Sequence, residues 1–152
     1  MIDRPEFLQP WLHDGLEPLA PESVVIQLFR DGPSIAIASW TVFDIEGNVR
    51  VRRLQAPPGQ RVVPREVIGA DASLGTANTE QLLRPLRSTA APDQSEAVLL
   101  DGLGYRIRDR STNHLRDFAW RGHKEPDDLT REFTKLRELF DATLPGYSTF
   151  DS

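Results

Sequence analysis

The sequence predicts an α+β fold. A single antiparallel sheet of about five to seven strands carries one long C-terminal amphipathic helix and one shorter helix. Three observations carry this reading. Near the carboxyl end, Leu129, Phe133, Leu136, Phe140 and Leu144 recur at steps of four, three, four and four, one face of an α-helix. Between residues 23 and 54, apolar segments are separated by the turn signals Asp31-Gly32 and Glu46-Gly47-Asn48. Further on, Tyr105-Arg106-Ile107-Arg108 alternates, and Phe118 and Trp120 share one side of a second alternating segment.

The totals fit one domain. At 152 residues the chain is long enough for a single core, and 39% hydrophobic with 27% charged residues is ordinary globular composition. The absence of cysteine excludes disulfides, thiolate metal sites and cysteine nucleophiles. No apolar run is long enough to span a bilayer, so no membrane association is expected. Met1-Ile2-Asp3-Arg4-Pro5-Glu6 lacks the basic start and apolar stretch of a secretory leader, which points to the cytoplasm. Sixteen of the 18 basic residues are arginine, which reads as the codon bias of a GC-rich bacterial genome.

Net charge is −5, unevenly spread. Residues 1–23 carry one arginine against five acids, whereas residues 48–70 carry five arginines against Glu66. Residues 102–121 carry five arginines against Asp109 and Asp117. An acidic whole keeps the chain soluble and argues against a nucleic-acid partner.

Taken in order, residues 1–22 form a Pro-rich arm whose Phe7 and Trp11 are expected to plug the edge of the core. The sharper reading makes Trp11 an aromatic anchor for a partner. Residues 23–54 form a β-meander of three strands: Ser23 to Arg30, Ile35 to Phe43, and the half-exposed Val49 to Arg52 with arginines outward. Residues 55–78, punctuated by Pro57-Pro58-Gly59, Pro64, Gly69 and Gly75, read as a long loop, with Arg61 to Val63 as one short strand within it. A short helix over 79–88, capped by Asn78 or Thr79, presents Leu82, Leu83 and Leu86; Pro85 must kink or end it.

Residues 96–121 supply further strands: Ala97 to Leu100, then a hairpin closed by Ser111-Thr112-Asn113. Its aromatic side, Tyr105, Phe118 and Trp120, is the natural seat for the helix over 126–144. Pro126 suits that helix's first turn, Leu139 widens its apolar stripe, and the tail 147–152 frays.

Common catalytic signatures are missing: no nucleophile elbow, no H-E-x-x-H, no Walker A loop and no EF-hand loop. Gly102-Leu103-Gly104 leads into a strand instead of a helix, so it is no dinucleotide loop. His13, His114 and His123 lie at spacings that make no ligand motif, and no metal or cofactor is expected.

The constellation with functional content is the arginines. Arg50 and Arg52 share one face of their strand, and Arg106, Arg108 and Arg110 share one face of theirs. In one sheet, five guanidiniums would line its open side, suited to carboxylates or phosphates. The plain reading is a solvated face neutralised by neighbouring acids. The functional reading is a docking face for an acidic protein partner, with Trp11 as an additional contact. The expected function is therefore non-enzymatic protein binding, most concretely a bacterial immunity-type protein that masks a cognate toxin. The alternatives are a small enzyme or ligand-binding domain with a loop-built site around His114, Asp117 and Arg108, or a structural or accessory subunit.

Overall fold

The computed structural model describes residues 7, 9–13, 15–32, 37–57, 67–91, 103–110, 116–122 and 126–146. Six antiparallel strands form one sheet: β1 (Val24–Asp31), β2 (Ile37–Ile45), β3 (Asn48–Ala56), β4 (Ile68–Gly75), β5 (Gly104–Asp109) and β6 (Arg116–Arg121). Their spatial order is β4-β3-β2-β1-β5-β6. Helices α1 (Thr79–Arg87) and α2 (Asp128–Thr143) lie on one face. The α+β architecture expected from the sequence is the one observed.

Local chemistry accounts for the boundaries. Ile45 pairs with Asn48, leaving Glu46-Gly47 as a two-residue hairpin loop. Both residues have positive φ, 52° and 90°, the conformation that matches the twist of the flanking strands. Asn78 caps α1 by accepting a hydrogen bond from the Gln81 amide at 3.2 Å, and α1 ends two residues beyond Pro85. Asp127 caps α2 by accepting from the Thr130 amide at 2.8 Å, so Pro126 precedes the cap and lies outside the first helical turn.

The helix face holds the main core. Its central row across the sheet is Ala70, Arg53, Trp40, Leu28, Ile107 and Phe118, each opposite the next. Phe133 of α2 meets Trp40, Tyr105 and Trp120 edge-on at centroid distances of 6.3, 5.1 and 6.0 Å. Tyr105 stacks on Trp120 at 5.4 Å, and the Trp120 indole donates to Thr130 Oγ1 at 2.9 Å. Such aromatic pairs add to the stabilisation from burial alone. The long helix therefore rests where the aromatic ribbon predicts. Leu139 differs: it is 48% exposed, at the rim of the stripe. Burial raises the Tyr105 phenol above its ordinary pKa, against the lowering charges of Arg30 and Arg137.

One stretch read as a loop is a strand. β4 lies within 55–78 and pairs with β3 from Gln55↔Ile68 to Val49↔Gly75. Its residues, Ile68-Gly69-Ala70-Asp71-Ala72-Ser73-Leu74-Gly75, have little strand propensity. Small side chains are required there by close packing: a Cβ on Gly69 would lie 2.7 Å from Leu16 Cδ1 and 2.8 Å from His13 Cδ2. The expected strands at 61–63 and 97–100, the turn at 111–113, His114, His123 and the tail 147–152 fall outside the described residues.

Candidate functional site

The sheet's reverse face carries a polar row. Across the six strands, Asp71, Arg52, Thr41, Gln27, Arg108 and Asp117 stand each opposite the next. Directly opposed residues of antiparallel strands project to the same side, so the pairing alone assembles this row. An adjacent row places Leu54, Ser39, Phe29 and Arg106 side by side. Arg50, Arg52, Arg106 and Arg108 thus share one face of one sheet, as expected. Arg110 follows β5, exposed, its amide donating to the Val25 carbonyl at 3.0 Å.

At the β3 end this face is covered. Arg52, expected to point outward, is 0% exposed. Its Nε and Nη2 donate to the two Asp71 carboxylate oxygens at 2.7 and 2.8 Å. Nη1 donates to the Pro10 carbonyl at 2.9 Å, and Nη2 also to the Glu17 carbonyl at 2.7 Å. Arg50 bridges Glu17 at 2.8 Å and Asp71 at 3.0 Å. The covering element is the amino-terminal arm. Phe7 packs with Phe29, Ile37, Leu54 and Ala56 on one side of the polar row. Trp11 and Leu19 pack with Val24 and Phe43 on the other. The backbone crosses between them at Pro10, and the arm closes on itself where the Leu19 amide donates to the Trp11 carbonyl at 3.0 Å. Glu17 of the arm thus gives Arg50 an acidic partner, while the counter-charge of Arg52 comes from Asp71 on β4. Trp11 is half-buried in this packing.

At the β5–β6 end the face opens. Asp117, with a 45% exposed side chain, accepts from Arg106 Nε and Nη2 at 2.9 and 3.0 Å and faces Arg108 Nε at 3.4 Å. Arg106 also lies 5.9 Å from the Phe29 ring centre. The Arg106 hydrogen bonds and the two guanidinium charges hold Asp117 below its ordinary pKa, against partial burial, which pushes upward. A carboxyl depressed in the folded state contributes stability above its unfolded pKa, lost as pH falls through the folded value. Replacing Arg106 with glutamine should lower stability slightly at neutral pH, by less than about 1 kcal/mol for so exposed a pair. That gap should close below the ordinary carboxylate range. Melts from neutral down to about pH 2.5 check it, and a constant gap would contradict it.

Other polar features have plain structural roles. Arg87 donates to both Asp109 oxygens at 2.8 and 3.0 Å, fixing α1 to β5. A groove of about 490 Å³ between the end of α1 and the start of α2 is lined by Ser88, Thr89, Asp128, Arg131, Glu132 and Lys135. Its charges pair along the helix, Arg131 with Asp128 and Lys135 with Glu132. Among the described residues no group of three or more His, Asp or Glu side chains could hold a metal ion, and no helix is long and apolar enough to cross a membrane.

Sequence reading missed Asp71, Gln27, Ser39 and Thr41 as members of this face. The parity of β1 and β2 was available as a signal, since polar Gln27, Ser39 and Thr41 interrupt otherwise apolar strands. Set against family models, curated proteins and solved structures, the chain matches none.

Proposed function

We propose that this protein is a non-enzymatic binding module that docks a partner protein on the reverse face of its sheet. The observation that carries this reading is the open end of the row. Two guanidiniums there, Arg106 and Arg108, both reach the half-exposed carboxylate of Asp117, with Arg110 exposed beside them. Planar forks held on adjacent strand positions suit carboxylates of an acidic partner surface. A sheet backed by a packed core keeps them in fixed positions, which lowers the ordering cost of association.

The most concrete form is a bacterial immunity-type protein that masks a toxin. Small size and a cationic patch on a fixed sheet support that form. The test is to mix the purified chain with the product of the gene encoded beside its own. The expected result is a complex by size, with association slowing between roughly 50 and 300 mM salt. Arg108→Gln with Arg110→Glu should weaken it about 3- to 10-fold, mainly through the association rate, while the melting temperature hardly moves. No change in size or heat stability on mixing would end the reading.

A further inference from the structure

Between its covered and open ends the polar row is incompletely paired. Both amide atoms of Gln27, Ser39 Oγ and Thr41 Oγ1 are buried without a hydrogen-bond partner. All three residues are 0% exposed. They form one patch: Gln27 is opposite Thr41, and Ser39 is opposite Phe29 two pairs further along, on the same face. Arg52 adjoins Thr41, and Arg108 adjoins Gln27, so the patch joins the covered end of the row to the open one. Buried polar groups in native proteins are nearly always paired, and the exceptions call for an explanation.

On this face the arm's Pro10 and Glu17 accept hydrogen bonds from Arg52 and Arg50, and among the described residues the arm makes none to Gln27, Ser39 or Thr41. Proline in particular supplies a carbonyl and no N–H. The row accepts polypeptide backbone, and the arm is a poor complement to it.

We propose that the row is the covered half of the partner-binding face and that the arm is a displaceable strap lying over it. The occupant is an extended segment of the partner protein bearing acidic or amide side chains. Its backbone N–H groups and side chains pair with Gln27, Ser39 and Thr41, its carbonyls take the place of the arm's at Arg52, and its carboxylates reach Arg108 and Arg106. This rests on the protein-binding reading above and adds the partner's chemistry and its point of entry.

Two experiments test it, both using the full chain and the neighbouring gene's product. Thr41→Val and Gln27→Met remove the unpaired atoms at nearly constant shape. They should raise the melting temperature of the free protein by about 2–5 °C and weaken the complex at least about tenfold. The second loosens the arm. Phe7→Ala removes the buried ring by which the arm packs on Phe29 and Leu54, so the strap lifts more readily. The complex should tighten about 3- to 10-fold although the free protein melts lower. If the apolar replacements lower the melting temperature, the groups are satisfied and the inference fails. If the Phe7→Ala protein binds no tighter than the unmodified one, the strap is refuted while the binding reading stands. If the unmodified protein binds nothing, the binding reading falls first and takes the strap with it.

Discussion

Asp71→Ala should lower stability by about 3–5 kcal/mol, the cost of leaving a buried charge without its partner. Arg52 is fully enclosed, and Asp71 supplies two of its four hydrogen bonds and all of its neutralising charge within bonding distance. The arm's carbonyls can solvate the guanidinium but cannot balance it. In a domain of this size the loss corresponds to a fall in melting temperature of roughly 6–20 °C. Urea denaturation gives the direct measurement, read as a shift in midpoint. The double replacement Arg52→Met with Asp71→Leu should recover most of the loss, because removing both charges also removes their desolvation. A single-mutant cost below about 1 kcal/mol would mean that Arg52 reaches water after all.

The second large effect is expected at Asp141, near the end of α2. Its Oδ1 accepts from the Trp40 indole at 2.8 Å and from Arg53 Nη1 at 3.0 Å, and its Oδ2 from Arg137 at 3.2 Å. Trp40 is fully buried and Arg53 is 2% exposed, so Asp141→Ala takes an acceptor from a buried N–H and a carboxylate from beside a buried guanidinium. Arg53 keeps the carbonyls of Pro145 and Gly146, which soften the loss without matching a carboxylate. The expected cost is again about 3–5 kcal/mol. Asp141→Asn, which retains an acceptor for Trp40, should cost distinctly less. Chemical denaturation followed by tryptophan fluorescence compares the two, and equal costs would show that charge is irrelevant at this position.

These two carboxylates mark where sequence reading stopped. The stripe Leu129 to Leu144 and the aromatic ribbon of Tyr105, Phe118 and Trp120 were legible because periodicity encodes which face is apolar, and that face meets a core. Periodicity says nothing about what covers a polar face. Val49 to Arg52 alternates as a half-solvated strand would, yet β3 lies inside the sheet and its reverse side is covered by chain from more than thirty positions away. The opposed charges of residues 1–23 and 48–70 were visible and are complementary, but composition does not state that two segments touch. Arg52 and Arg53 are neighbours in sequence and reach opposite faces, one to Asp71 and one to Asp141, as strand parity requires. β4 escaped because glycine, alanine and serine carry little strand signal. Its place depends on pairing with β3 and on the room that Gly69 leaves for the arm.

The central claim is that the amino-terminal arm crosses the reverse face and encloses Arg52. Nuclear magnetic resonance of the arginine side chains addresses it directly. The expected result is a resolved, slowly exchanging guanidinium for Arg52, with through-space contacts to protons of Pro10 and Glu17. A rapidly exchanging signal at the position of a solvated arginine, with no contact to the arm, would contradict it.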